Sequence, residues 1–296
     1  MNIETEAQAQ KRLRDLITQV KRELNLDHHP HYSGIDDPIA KHLGLEVREV
    51  ALDFDEGQYI PDRRLIVLDP RVSDSDRLNF TFFHEVSHHL IREDAFLYSF
   101  LNEYAQGDQE LKRVVETYCN FGAAEFMIPI QDLRHFLTSH GFSIAHIEQL
   151  EEIYSASKIA IAIQMAHCAT HQCYIVVCEY GLPPRRKEAQ APVNFLSENS
   201  QESPGLYVCY TAQSPSITKY SIARHTRISK EHIIAIAYYQ KSHLTGRDTI
   251  PFRSGKRWEV DCEVYYLKGK VYAVFNVTTP PAHSSQQLGL FDALSD

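Results

Sequence analysis

The sequence predicts an α+β protein in which a mainly helical domain with a small antiparallel sheet precedes a smaller α+β domain. Helical patterns dominate residues 1–180, and short strand-like segments interrupt them between residues 46 and 68. Residues 181–204 are rich in Pro, Ser, Gln and charge, which is typical of a linker. Residues 205–279 then carry further strand patterns.

Composition limits the possible functions. A chain of 296 residues with 43% hydrophobic residues is ordinary for one large or two modest globular domains. The net charge of −9 argues against a protein whose main activity is binding the phosphates of nucleic acids, so we do not expect direct DNA binding. There is no apolar run of signal or transmembrane length and no Cys-x-x-Cys pair among the six cysteines. We therefore expect a cytoplasmic protein with no membrane partner and with small, buried cysteines.

The first elements can be assigned in order along the chain. Residues 5–25 form a charged amphipathic pattern that predicts a helix. Asp37 and Pro38 predict the start of a short helix, which Gly44 ends. The segments predicted to form the small antiparallel sheet are Glu46–Leu52, Gln58–Ile60 and Arg64–Leu68.

A polar triplet within an apolar run is the most informative feature of the chain. The run Phe80–Ile91 contains His84, Glu85 and His88. In a helix, the two histidines would lie one turn apart on one face, where they can bind a single zinc ion. Glu85 would then lie beside the metal, in the place of a general base for water. Burying these groups unpaired is costly, and a metal would offset that cost.

A catalytic zinc site needs a third protein ligand. The metzincin continuation is excluded because Ile91 and Asp94 stand where it requires Gly and His. Glu116 is the best candidate, since it opens a run of small and apolar residues that predicts a closely packed helix ending at Pro129. The alternative for Glu116 is a solvated carboxylate at a helix start. Asn120, one turn later, is placed to orient a ligand histidine. The carboxylates within reach in sequence are Asp94, Glu103, Asp108, Glu110, Glu116 and Glu125.

Two blocks of the sequence resemble the ImmA/IrrE family of metallopeptidases. The first block is Arg77–His88, and the second runs from Glu116 to Pro129 with Asn120 in register. The resemblance covers roughly residues 35–170. It departs from the family pattern at Ser87, where Gly is common, at Cys119 in place of Ala, and at Gly122 in place of Phe. We expect Gly122 to weaken its helix and loosen the packing around it.

The resemblance implies a zincin-like peptidase domain over residues 1–180. It implies that His84, His88 and Glu116 hold Zn²⁺, with Mn²⁺ as a second possibility, and that Glu85 is the catalytic base. The substrate it implies is a helix-turn-helix repressor, cut once to release a stress, DNA damage or mobile-element response. For the oxyanion partner, the sequence leaves Tyr59, Tyr118, Tyr154 and several histidines open. The alternative function is a non-proteolytic sensor or adaptor that binds a repressor or the replication sliding clamp.

Helices are predicted near residues 130–140, 143–154 and 157–168. The last two, over residues 143–168, resemble a helix-turn-helix. The segment Lys158–His167, which would read DNA, has one cation and is otherwise mostly apolar. A recognition helix needs several side chains that reach bases and phosphates, so core packing is favoured.

The remaining strands belong to the end of the first domain and to the second. Tyr174–Tyr180 predicts a strand of the first domain, and residues 267–270 predict a hairpin turn. Family members that control a radiation response carry a C-terminal GAF-like sensor domain, and residues 205–279 are compatible with one. The strands predicted there are Leu206–Tyr210, Ile233–Gln240, Trp258–Tyr266 and Val271–Val277.

The C-terminal tail, residues 280–296, is predicted to be a flexible spacer followed by a short apolar motif. Its segment Gln287–Phe291 resembles the peptide with which bacterial proteins dock on the DNA polymerase sliding clamp. There, apolar anchors corresponding to Leu288, Leu290 and Phe291 enter a pocket and the glutamine, Gln287 here, makes hydrogen bonds. The alternatives are a chance match and a tail that packs on its own domain.

Overall fold

The structure is a computed structural model that describes residues 3–26, 30–154, 156–182 and 203–277. It divides into two compact units, of which the first comprises Met1–Phe136 with Ile147–Gln164 and the second Leu137–His146 with Met165–Asp296. The predicted α+β class is confirmed, with a mainly helical unit and a smaller α+β unit. Most of the predicted linker and the whole clamp-like peptide, Gln287, Leu288, Leu290 and Phe291, lie outside the described residues.

Helices make up most of the chain before residue 170. The sequence patterns differ from the structure at two of these helices. The helix Ala95–Tyr104 was not predicted, and the helix that carries Glu116 begins at Asp108, eight residues before its predicted start at Glu116. The helices are α1 (Glu6–Glu23), α2 (Pro38–His42), α3 (Ser75–Glu93), α4 (Ala95–Tyr104), α5 (Asp108–Met127), α6 (Ile130–His140), α7 (Ile147–Tyr154) and α8 (Lys158–Cys168).

Side-chain caps define the ends of these helices. Thr5 and Gln8 form a capping box at the start of α1. The carboxylate of Asp74 accepts from the backbone N–H groups of Asp76 and Arg77 and begins α3. Asp94 ends α3 and begins α4, where it accepts from the N–H of Leu97 at 2.8 Å. The metal-ligand candidates of α3 therefore lie in a helix with fixed ends.

The small sheet differs from the prediction in one respect. Its strands are β1 (Glu46–Glu49), β2 (Gly57–Ile60) and β3 (Leu65–Leu68), in the order β1-β3-β2. β2 pairs with β3 in antiparallel fashion, but β1 and β3 are parallel, so the predicted antiparallel sheet is mixed. The reason is burial: all four residues of β3 are buried, and the most apolar strand takes the centre. This order leaves β2 at an edge, where it packs on α3.

The second unit contains an antiparallel sheet of five strands in the order β5-β4-β8-β7-β6. The strand at 173–181 bonds to β5 and β8 of this sheet, so the predicted domain boundary at residue 180 differs from the structure. The predicted hairpin turn is present, with positive φ at Lys268 and Gly269, as a two-residue turn requires. The strands are β4 (Cys173–Gly181), β5 (Gly205–Gln213), β6 (His243–Thr249), β7 (Glu259–Leu267) and β8 (Lys270–Asn276).

The segment Ile233–Gln240, predicted as a strand, is instead helix α9. Its apolar residues do not alternate with polar ones, so periodicity alone does not separate a buried strand from a helix. Two side chains stabilise the helix by capping the N–H groups of its first turn. The His232 imidazole accepts from the Ile234 N–H at 3.2 Å, and Asp248 accepts from the Ile233 N–H at 2.7 Å. The sheet strand missed by the sequence patterns is β6.

Two further expectations concern burial. Among the described residues, the six cysteines form no disulfide bond, and five of them are buried while Cys209 is half-buried. In α8, the residues Ile161, Ala162 and Met165 are fully buried, which agrees with core packing rather than with a DNA-reading surface. Within the described parts of the chain, no helix has the length and apolar character needed to span a bilayer.

Candidate metal centre

Three side chains from two helices converge on one point. His84 and His88 lie one turn apart on α3, and their Nε2 atoms are 3.2 Å apart. Glu116 of α5 approaches both: its Oε2 is 3.1 Å from His84 Nε2, and its Oε1 is 3.4 Å from His88 Nε2. The structure therefore brings together the three ligands expected from the sequence.

These distances fit a divalent metal ion. In a tetrahedral zinc site with metal–ligand bonds of about 2.0–2.1 Å, neighbouring ligand atoms are about 3.3 Å apart. The three separations between His84, His88 and Glu116 are 3.1, 3.2 and 3.4 Å. Two imidazoles and one carboxylate are also the donor set of many catalytic zinc sites, in which a fourth position stays open.

Asn120 sets the orientation of the His84 ring. Its Oδ1 lies 3.1 Å from His84 Nδ1, which donates to it when the proton sits on that nitrogen. That arrangement leaves the Nε2 lone pair free to face His88 and Glu116. Asn120 follows Glu116 by one turn of α5, so a single helix supplies a ligand and the group that orients another ligand.

The electrostatic environment favours a neutral His88 ring. Burial lowers the pKa of His88, the neighbouring His84 lowers it further, and Glu116 opposes both effects. A neutral imidazole is the form that binds a metal. The His88 ring is therefore favoured in the form that can bind a cation.

Cys119 is a second candidate for the third ligand. Its sulfur lies within 4.8 Å of the ring nitrogens of His84 and His88, and the residue is fully buried. Burial, assisted by Glu116 and Glu85, raises the pKa of its thiol well above the ordinary value. Because a thiol must lose its proton to bind a metal, this environment favours Glu116 as the ligand and leaves Cys119 in the core behind it.

Glu85 lies beside the three ligands. Its side chain is buried, and burial raises its pKa to about 8, with smaller contributions in the same direction from Glu116 and Asp55. The backbone N–H of Tyr59, which faces the carboxylate, opposes the shift. A nearby divalent cation would also lower this pKa, which places the group near the range useful for proton transfer at neutral pH.

An open cleft of about 570 Å³ runs past these groups. Edge strand β2 and the loop before it form one wall, and α3 and α5 form the other. Arg77, which opens the first sequence block, forms an ion pair at its rim with Glu56, which the sequence patterns did not single out; the distances are 2.6 and 2.7 Å. The exposed Phe54 side chain also lines the cleft.

Other candidates from the sequence are engaged elsewhere. The hydroxyl of Tyr59 lies 2.9 Å from His89 Nδ1, and that of Tyr118 lies 3.4 Å from the carbonyl oxygen of Glu6. Tyr154 is buried and is not among the described residues that line the cleft. These tyrosines are thus poor oxyanion partners in this conformation. His89 faces Tyr59 rather than the three ligands.

Two of the remaining carboxylates of the ligand search, Asp94 and Glu125, have other roles. Asp94 caps α4 and binds Arg12. Glu125 lies 3.3 Å from Arg14, in the interior of the first unit. Neither competes with Glu116 for the metal position.

Comparison with known proteins finds similarity to metallopeptidases. Residues 40–165 match the Peptidase M78 family model, described as an IrrE N-terminal-like domain. The chain is 24% identical over 280 residues to the radiation response metalloprotease IrrE of Deinococcus radiodurans, covering 91% of this chain and 78% of that protein. It is 25% identical over 270 residues to the protein of the same name from Deinococcus deserti, covering 91% and 89%.

A solved structure also resembles this one. It is described as a Mycobacterium tuberculosis transcriptional regulator, and the two superpose with a TM-score of 0.53. The match covers 88% of this chain and 76% of that chain at 9% identity. At this level of identity the likeness concerns the fold alone.

Proposed function

We propose that this protein is a zinc-dependent endopeptidase, because residues 40–165 match the IrrE N-terminal-like peptidase domain that the two sequence blocks resemble. The observation that carries the proposal is the convergence of His84, His88 and Glu116 to within 3.1–3.4 Å, with buried Glu85 beside them. His84, His88 and Glu116 hold the metal, and Asn120 orients His84. Zn²⁺ is the preferred ion, and Mn²⁺ is the second choice.

The metal ion and the protein side chains have separate roles in the proposed reaction. A bound zinc ion supplies polarisation of the scissile carbonyl and a lowered pKa for water. Glu85 takes the proton of the attacking water and passes it to the leaving amine. The edge strand β2 lies along the cleft, and it aligns an extended substrate backbone by strand addition.

The proposed substrate is a helix-turn-helix repressor, cut once so that its target genes are released. Family membership and the printed names of the relatives, which concern a radiation response, support a role in stress or DNA damage. The C-terminal α+β unit then acts as a sensor that controls the peptidase. A repressor encoded beside this protein is the first candidate.

The test is direct incubation. Zinc-loaded protein is mixed with the purified repressor from the neighbouring gene, and the products are analysed by intact mass spectrometry. We expect two fragments that add up to the repressor, no cleavage in EDTA, and recovery on adding Zn²⁺ or Mn²⁺. An intact repressor bound to the zinc-loaded protein would contradict the proposal and favour the non-proteolytic adaptor.

A second partner is proposed from the tail. The Gln287–Phe291 segment has the residues of a sliding-clamp peptide, with Gln287, Leu288, Leu290 and Phe291 as contacts. A synthetic peptide of residues 280–296 is titrated against the purified clamp, with a peptide in which Leu290 and Phe291 are both Ala as the control. Binding of the first peptide alone is expected, and no binding at high micromolar concentration would exclude this partner.

A further inference from the structure

Edge strand β2 approaches the metal helix most closely at Gly57. A Cβ atom built at this position would lie 2.5 Å from the Cγ2 of Thr81. It would also lie 3.3 Å from both Cγ and Oε1 of Glu85. The φ angle of Gly57 is not in the left-handed region, so the backbone accepts any residue and only the space excludes a side chain.

Contacts on both sides of Gly57 hold the strand in this place. The Glu56 carboxylate binds Arg77 of α3 at 2.6 and 2.7 Å. Two residues later, the Tyr59 backbone N–H faces the Glu85 carboxylate, and the Tyr59 hydroxyl lies 2.9 Å from His89 Nδ1. β2 is therefore fastened to α3 before and after the glycine.

These contacts meet at the side chain that needs the most exact placement. Glu85 is enclosed between the glycine backbone on one side and the helix on the other, with the Tyr59 N–H facing its carboxylate. Displacing a reacting group by about 1 Å is enough to cost roughly 100-fold in rate. Relieving a 2.5 Å contact requires a shift of that order.

We infer that Gly57 is a positioning residue for the catalytic base, because its missing side chain lets the Tyr59 N–H reach and hold the Glu85 carboxylate. The inference rests on the proposed peptidase function, since Glu85 needs a fixed position only if it transfers a proton. The metal ligands are not part of this contact, so zinc affinity does not depend on it.

The structure offers a matched rescue. In Gly57→Ala the added methyl group meets Thr81 Cγ2, and Thr81→Ser removes that carbon atom. The hydroxyl bond from residue 81 to the Arg77 carbonyl, 2.9 Å in the wild type, is kept by serine. Gly181→Ala is the control, because an added Cβ there meets no atom within 4 Å and its φ is not positive.

The first measurement needs neither metal nor substrate. Amide hydrogen exchange of Tyr59 is followed by NMR in the zinc-free, full-length protein. Gly57→Ala is expected to speed exchange at Tyr59 roughly tenfold, since the N–H loses its acceptor. The double variant Gly57→Ala/Thr81→Ser should return most of the protection, whereas Thr81→Ser and Gly181→Ala should resemble the wild type. Unchanged Tyr59 exchange in Gly57→Ala would overturn the inference.

The second measurement uses the zinc-loaded protein and the repressor from the neighbouring gene. For Gly57→Ala we expect kcat to fall roughly 100-fold with zinc affinity unchanged and KM altered much less, and the double variant to recover most of the loss. Unchanged kcat, or equal loss in the double variant, would refute the positioning role. If the wild type itself does not cleave the repressor, the peptidase proposal fails. Hydrogen exchange at Tyr59 still tests whether Gly57 allows strand β2 to contact Glu85.

Discussion

Gly122 of α5 lies directly against Ser87 of α3, between the two turns that carry the metal ligands. A Cβ atom at position 122 would be 2.3 Å from the Ser87 hydroxyl oxygen and 2.9 Å from its Cβ. Ser87 and Gly122 are two of the departures from the family pattern, and they face each other. The expectation that Gly122 loosens the packing is therefore wrong, because the glycine is what allows the helices to approach.

Gly122→Ala is expected to destabilise the protein. The helix gains about 1 kcal/mol from replacing glycine, but overpacking a close contact costs about 1–3 kcal/mol. The loss should appear in denaturant unfolding, together with weaker zinc binding, because α5 also carries Glu116. Ser87→Gly in the same chain should restore zinc affinity, whereas Ser87→Ala should not, since its Cβ remains in contact. A Gly122→Ala protein as stable as the wild type would contradict the packing argument.

The two candidate ligand sets predict different results for Glu116 and Cys119. Glu116→Gln should lose more zinc affinity than the roughly 10- to 100-fold typical of an outer-shell change, because a ligand is removed. Cys119→Ala should keep zinc affinity near that of the wild type. Isothermal titration with Zn²⁺ measures both. The opposite order of effects would make Cys119 the third ligand.

Asn120→Ala tests the orientation of His84. The ring loses its partner at Nδ1 but keeps its Nε2, so we expect zinc affinity to fall by roughly 10- to 100-fold, less than in Glu116→Gln. Asn120→Asp is the matched variant, since its carboxylate can still accept from Nδ1. If Asn120→Ala binds zinc as tightly as the wild type, Asn120 has no orienting role.

A site residue can be predicted from the sequence when the residues it acts with are close to it along the chain. His84, Glu85 and His88 were assigned from helical spacing alone, since neighbours on one helix face are set locally. Glu116 needed the resemblance to a family, because its approach to His88 depends on how two helices pack. The role inferred for Gly57 depends on the approach of strand β2 to helix α3, and this approach leaves no pattern among neighbouring residues of the sequence.

The wrong predictions about the fold also arise from interactions between residues that are distant in the sequence. Residues Ile233–Gln240 are apolar without alternation, and caps from His232 and Asp248 decided for a helix. The parallel pairing of β1 with β3 follows from burial of the most apolar strand, which sequence neighbours do not reveal. Strand Cys173–Gly181 was assigned to the wrong unit because its partners lie far along the chain.

Lys21 predicts a pH dependence of stability. Its ammonium donates to the Phe126 carbonyl at 2.7 Å, near the end of α5, and burial lowers its pKa from 10.5 to about 8. Between these values the unfolded chain holds more protons at this group than the folded protein does. The free energy of unfolding attributable to Lys21 therefore rises as the pH rises through this window.

Lys21→Met keeps the apolar stem and removes this titration. The difference in unfolding free energy between wild type and variant should shift by roughly 1–3 kcal/mol in favour of the wild type from pH 8 to pH 10.5. Urea unfolding at both pH values measures it, and Lys11→Met at an exposed site of α1 is the control. A difference that does not change with pH would show that the Lys21 pKa is ordinary.

Glu85→Gln tests the account most directly. The amide cannot take a proton from water, but it leaves His84, His88 and Glu116 unchanged, so zinc binding and proton transfer are separated. Zinc content and repressor cleavage are measured on the same preparation, beside the wild type. We predict a full equivalent of zinc and no detectable fragments. Cleavage by the zinc-loaded Glu85→Gln protein would contradict the proposed role of Glu85 and the mechanism built on it.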